Sequence, residues 1–162
     1  MLKFRDAEIT DLPKLLNIYN WAVENTTASF DLTAQTLEQR AEWFSHYGGK
    51  YPLIVAEVDG EVAGYASLSS FRQKEGYAPT AENSVYVDPE FHRRGIGKAL
   101  LGEIIKIGRE KGFHVIVAGI TSGNGVSVKM HEDFGFTYCG NFKEVAYKFN
   151  TWQDCLFYQL IL

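Results

Sequence analysis

His92 to Lys98, "HRRGIGK", concentrates positive charge around two glycines at the point where a β-rich run, "AENSVYVDP", gives way to the helix-forming run "IGKALLGEIIKIGREK". A helix starting there presents unpaired backbone N–H groups at its positive end, which together form a seat for an anion. Gly95 and Gly97 carry no side chain that would keep a phosphate off the backbone, and Arg93, Arg94 and Lys98 supply charge around it. The same residues also fit a plainer reading, a flexible helix start with solvated arginines. Neither common nucleotide pattern is met. The GxxxxGK[ST] loop is absent, and GxGxxG is not completed because Leu100 stands where its third glycine belongs.

Two further groups of residues could carry proton chemistry. In an extended segment Glu82, Ser84 and Tyr86 share one face, and Val85 and Val87 share the other. Glu82 there is either a base in a site or a solvated glutamate at a strand entry. In "NGVSVKMHEDF", Asn124, Ser127, Val128 and His131 fall on one helical face. Cys139 and His131 lack a third group to orient them as a catalytic pair, and the strand pattern around Cys139 reads as a buried, inert thiol. Cys139 and Cys155 form no CxxC pairing, so no metal site is expected, and free thiols suit a reducing cytoplasm.

The elements that must position these groups follow from periodicity. The 162 residues fit a single domain, residues 1–162, of a size that buries roughly 70% of its unfolded surface. Hydrophobic content of 46% and charged content of 22% are those of a soluble globular protein, while aromatics at 14% run high. A net charge of −4 argues against nucleic acid held by bulk electrostatics, though a local basic cluster can still hold an anionic ligand. No apolar window suggests a signal peptide or a membrane span, and the expected location is the cytoplasm.

"LKFRDA" reads as a first strand, and "TDLPKLLNIYNWAVEN" as a helix with Thr10 as N-cap and Pro13 in its first turn. "TAQTLEQRAEWFSHYGG" reads as a second helix ended by Gly48-Gly49. Asp59-Gly60 joins two strands as a hairpin, and "FRQKEGYAPT" is a loop or strand extension before the strand "AENSVYVDP". A helix from Gly95 to Lys111 is amphipathic, with Ile96, Leu100, Ile104 and Ile107 on its apolar stripe. A buried strand "FHVIVAGI", the short helix of His131 and two long terminal strands follow. This order predicts an α+β or mixed α/β sandwich.

The run "SVYVDPEFHRRGIGKALL" resembles the acetyl-CoA pyrophosphate loop of the GCN5-related N-acetyltransferases (GNAT), Gln/Arg-x-x-Gly-x-Gly/Ala. His92 to Gly97 occupy that pattern, with His92 where the family usually has Gln or Arg. "NGVSVKMHEDFGF" resembles the family's N-x-x-A-x-x-x-Y-E-x-x-G-F segment, with His131 at the position where many members carry a tyrosine that protonates the departing thiolate. "AENSVYV", "HE" at 131–132, the K-F-x-x-W-x-D run from Lys148 to Asp154, and "FDLTAQTLEQRAEWF" with Phe30 and Arg40 look like the phosphinothricin and methionine-sulfone acetyltransferase branch. The likeness covers nearly the whole chain.

That resemblance implies a central mixed, mainly antiparallel sheet of about seven strands flanked by about four helices. It implies acetyl-CoA as cosubstrate with no metal, held by Val85, Tyr86, Val87, the loop Arg93, Arg94, Gly95, Ile96, Gly97, Lys98 and Ala99, and by Asn124 and Ser127. It places Phe30, Arg72, Glu75, Gly76 and Tyr77 against the acceptor together with Glu82, which it makes the general base, with His131 as candidate acid. The expected reaction is direct acetyl transfer to a small amino-acid-like amine in a ternary complex. Ala78 departs from the charged residue of the methionine-sulfone type and leaves the acceptor open. Glu24 reads as a solvated helix end or a second acid, and Trp152 and Phe149 as core or subunit-contact residues of an expected homodimer. Two alternatives stand beside this reading: an acetyltransferase of protein N-termini or lysines, and a non-catalytic acyl-CoA-binding regulatory module.

Overall fold

A computed structural model describes residues 1–162. In chain order it forms β1 (Leu2–Asp6), α1 (Leu12–Asn25), α2 (Leu37–Phe44), β2 (Leu53–Val58), β3 (Glu61–Ser70), β4 (Thr80–Val87), α3 (Ile96–Glu110), β5 (Val115–Thr121), α4 (Gly125–Asp133), β6 (Thr137–Lys148) and β7 (Thr151–Ile161). The strands make one seven-stranded sheet of order β1-β2-β3-β4-β5-β7-β6. Only β4 and β5 run parallel, and the other neighbours are antiparallel. This is the expected mixed, mainly antiparallel sheet with four helices.

The helices divide between the two faces. The apolar stripe of α3, with Leu100, Leu101 and Ile104 fully buried, packs on Ile54, Ala66, Leu68 and Ile116 of one face. On the other face, Leu15 and Ile18 of α1 close over Val55, Val62 and Tyr65, and Trp43 and Phe44 of α2 pack against them. Asp59 and Gly60 have φ of 50° and 85°, the left-handed pair that a tight hairpin between β2 and β3 requires. No helix is long and apolar enough to cross a membrane.

Three local expectations are corrected and a fourth is narrowed. Thr10 lies in a short 3-10 turn, Ile9–Asp11, and Asp11 stands at the N-cap of α1, with Pro13 in the first turn as expected. The second helix ends at Phe44, before Gly48-Gly49, because Ser45 turns back with its backbone N–H on Ala41 and its hydroxyl on the Glu42 carbonyl. Cys139 is exposed, since a register shift in edge strand β6 falls between Tyr138 and Gly140, and its thiol donates to Gln159 Oε1 at 3.3 Å. Trp152 and Phe149 are 60% and 52% exposed, so they are not core residues of this chain.

Candidate active site

The parallel pair that holds the centre of the sheet is short. β4 and β5 stay in register only at Thr80, Ala81 and Glu82, and beyond Glu82 they part. Asp88 donates its backbone N–H to Ala63 of β3 at 2.8 Å, and by alternation the N–H groups of Val85 and Val87 turn the other way, towards the side β5 has left. The result is a strand edge with unpaired donors inside the protein. A cavity of about 280 Å³ fills the split, lined by Glu82 to Tyr86 on one bank and Ala118 to Thr121 on the other.

Glu82 sits at the apex. Its carboxylate lies over Gly119, with Oε2 3.5 Å from where a Cβ would stand. Burial pushes the Glu82 carboxyl above its ordinary pKa, and the Arg72 charge pulls it part of the way back. A carboxylate held this way is a stronger base than one in water.

From the split the cleft widens to about 560 Å³ and runs past Val85 and Val87 to the glycine loop. Gly95 is the N-cap of α3 at φ 76°, a left-handed conformation that favours glycine, and Gly97 faces Val87 and Met130 across the cleft floor. Arg93, also left-handed at φ 64°, lines this cleft with Gly95, Ile96, Gly97 and Lys98. Lys98 is paired with Asp133 at 3.2 Å. Arg94 is exposed and its guanidinium lies over Phe91. His92 takes a different part: Nε2–H donates to the Val87 carbonyl at 3.0 Å and its ring stacks edge-on with Trp21, tying the loop to the end of β4.

The opposite wall is α4. Asn124 caps it by accepting from the Ser127 N–H at 3.2 Å, and both residues line the cleft. His131 is buried at 4% exposure, with Nδ1 2.7 Å from the Ser127 carbonyl and Nε2 3.1 Å from Asn83 Nδ2. A carbonyl only accepts, so the proton is on Nδ1 and Nε2 accepts from Asn83. Burial lowers the His131 pKa, and the ring is neutral at pH 7.

A splayed strand edge, a glycine-capped helix N-terminus and a half-buried carboxylate lie along one continuous cleft. The sequence profile described as "Acetyltransferase (GNAT) domain" matches residues 4–157. The chain belongs to the GNAT acetyltransferase family. The L-methionine sulfoximine/L-methionine sulfone acetyltransferase of Pseudomonas paraeruginosa is 44% identical over 160 residues, 98% of this chain and 93% of that protein. The crystal structure of a protein named ribosomal-protein-alanine N-acetyltransferase, from Brucella melitensis, superposes with a TM-score of 0.96 at 45% identity, covering 99% of both chains. The phosphinothricin acetyltransferase of Sinorhizobium meliloti, solved in complex with acetyl-CoA, matches at TM-score 0.96 and 35% identity over 99% of this chain and 88% of that one. This protein is an acetyl-CoA-dependent N-acetyltransferase.

In this GNAT protein the other face of β4 carries a second cavity, of about 590 Å³. Its wall is aromatic: Tyr86 stacks on Tyr65 at 5.4 Å and meets Tyr19 edge-on at 5.5 Å. Burial raises the Tyr19 hydroxyl to about 12, and that hydroxyl bonds Ser29 and Asp31. Arg40 enters this wall from α2 and is 3% exposed. The only advance signals are the period of the apolar residues and the Arg40 spacing, which carry no chemistry alone.

The segment 26–36 roofs the junction of the cavities. It is pinned by Thr121 Oγ1 on the Thr27 carbonyl at 2.6 Å and by the buried Lys148 ammonium on the Ser29 carbonyl at 2.7 Å. Phe30 rides on this segment, half-buried. Arg72, Glu75, Gly76 and Tyr77 are exposed on the loop before β4, with Glu75–Tyr77 in a 3-10 turn; of these, Arg72 reaches Glu82 electrostatically. Glu24 is exposed at the end of α1, and Ala99 is half-buried in the first turn of α3.

Proposed function

We propose that this protein acetylates the α-amino group of a small amino-acid-like acceptor of the methionine sulfone, methionine sulfoximine or phosphinothricin type, by direct attack in a ternary complex. The observation that carries the reading is Glu82, a partly buried, base-strengthened carboxylate in the split, on the same face of β4 as Ser84, which lines both cavities. Acetyl-CoA supplies an activated thioester carbonyl at this cleft. The cleft residues fit it: the free N–H of Val85 or Val87 lies where a carbonyl oxygen can be polarised, and the Arg93 to Ala99 turn, with Asn124 and Ser127 opposite, suits the pyrophosphate and pantetheine arm.

Aliphatic ammonium groups stay protonated at neutral pH, so the attacking nitrogen must first lose a proton, which Glu82 Oε2 accepts. His131 is assigned the proton of the leaving thiol. Its Nδ1–H is held by the Ser127 carbonyl and its Nε2 accepts from Asn83, so the transferable proton is one taken up on Nε2 when the ring releases the Asn83 amide. Phe30, Arg72, Glu75, Gly76 and Tyr77 are assigned to the mouth of the acceptor site, with Arg72 taking the acceptor carboxylate.

The name of the Brucella protein favours a second reading, acetylation of a protein N-terminus. The aromatic cavity lined by Arg40 and Trp43, of about 590 Å³, has the size for a small acceptor and supports the small-acceptor reading instead. The acceptor experiment is a thiol-release assay over methionine sulfone, methionine sulfoximine, phosphinothricin, the common amino acids and N-terminal peptides. Turnover of the first three is expected, and turnover of peptides alone would replace this reading with the second. The cytoplasmic location and a homodimer belong to the same proposal. The homodimer is supported by Phe142, Tyr147, Phe149 and Trp152, which are more than half exposed on β6, β7 and the turn between them, and sedimentation at micromolar concentration tests it.

A further inference from the structure

Arg40 is a buried cation without an anion. It makes no ion pair, and its contacts are Nη2–H to the Tyr65 hydroxyl at 2.6 Å and a long Nη1 approach to Gln35 Oε1 at 3.4 Å. Nε is buried and has no partner. A guanidinium carries five N–H donors, so most of its capacity is unspent, and burying charge in this state is costly. Trp43 lies 3.4 Å and Tyr19 4.0 Å from its central carbon, so the aromatic rings hold the fork in place.

The fork lines the cavity on the acceptor side of β4. The register Tyr65 to Tyr86, Ser67 to Ser84 and Ser69 to Glu82 lays three rungs in a row, with Arg40 at the tyrosine end and Glu82 at the other. Four residues of strand separate those ends, roughly 13 Å of backbone. An acceptor whose amine is at Glu82 keeps its α-carboxylate close by, within reach of Arg72. What reaches Arg40, along the serine floor, is the far end of the acceptor side chain.

We propose that Arg40 is a specificity-determining residue that binds an oxo group, sulfonyl or phosphinyl, at the distal end of the acceptor side chain. Such oxygens only accept hydrogen bonds, concentrate negative charge and match an unspent fork. A thioether offers the fork almost nothing. A site built around a buried donor rejects an analogue that leaves the donor unpaired, so Arg40 separates methionine sulfone from methionine.

This inference rests on the proposed small acceptor, and one experiment distinguishes the two. The ratio of kcat/KM for methionine sulfone to that for methionine is measured in the wild type, Arg40→Met, Arg40→Lys and Tyr65→Phe. The ratio should fall at least tenfold in Arg40→Met, by less in Arg40→Lys, and least in Tyr65→Phe, with the loss mainly in KM for the sulfone. Calorimetric titration of methionine sulfone should show the same order of binding loss. A wild-type ratio retained in Arg40→Met, or in the two milder variants if that protein does not fold, overturns the inference while leaving the small-acceptor reading intact. No wild-type turnover of any free amino acid overturns both.

Discussion

The cleft on the Gly95 side of β4 and the cavity on the Arg40 side share one strand as a wall, yet they are built from different materials. The first is mostly backbone: the freed edge of Val85 and Val87, the left-handed turn at Arg93 and Gly95, and the N-terminus of α3. The second is side chains brought together from four elements, Tyr19, Arg40, Trp43, Tyr65 and Tyr86. A backbone site suits a cosubstrate whose phosphates and amide arm are the same in every reaction. A side-chain site can change with each acceptor at little cost to the fold, which suits the half of the reaction that differs between relatives named for methionine sulfone and for phosphinothricin.

Five changes test that division, and the largest effect is expected where the two sides meet. Glu82→Gln should lower kcat about 100- to 10,000-fold, with acetyl-CoA binding by calorimetry retained. Its sign on stability is opposite: a carboxyl with a raised folded pKa binds more protons folded than unfolded, so stability falls as pH rises above the ordinary carboxylate range. Glu82→Gln should therefore melt slightly higher at pH 7. Gly97→Asp sets a carboxylate in the backbone seat, and on the order of 100-fold weaker acetyl-CoA binding is expected. The melting temperature of that variant should stay near that of the wild type.

Lys148→Met removes the ammonium that holds the Ser29 carbonyl, and should raise acceptor KM about threefold to tenfold while acetyl-CoA KM stays put. Arg72→Met removes the charge that draws the Glu82 carboxyl down, so the acid limb of the kcat/KM profile should move to higher pH. An unmoved limb would separate Arg72 from the base. The smallest effect is on stability: the lowered His131 pKa means stability is lost as pH falls below about 6.5, the ordinary histidine value, and His131→Asn should flatten that limb in thermal melts.

Much of the fold is legible in the sequence because its signals are local. Asp59-Gly60 can hardly be anything but a hairpin turn, and the stripe of Ile96, Leu100 and Ile104 needs one apolar face to cover. The pattern around Cys139 misleads because it does not record that β6 is an edge strand with a register shift. In the sequence His92 is only a departure from a pattern, whereas its ring nitrogen on the Val87 carbonyl needs the turn at Arg93 and Gly95 to bring it there. Asn83 gives no signal, since its partner His131 is 48 residues away.

By itself, then, the sequence determined the backbone half of the catalyst: where β4 ends, where glycine permits a left-handed cap, and which helix follows. Those properties depend on neighbours in the chain. The tertiary structure alone decided that Arg40 is buried without an anion, that Glu82 lies over Gly119, and that Lys148 reaches back across 119 residues to Ser29. Burial, and the electrostatics that burial amplifies, depend on what packs around a residue from elsewhere in the chain, and no local pattern contains that information.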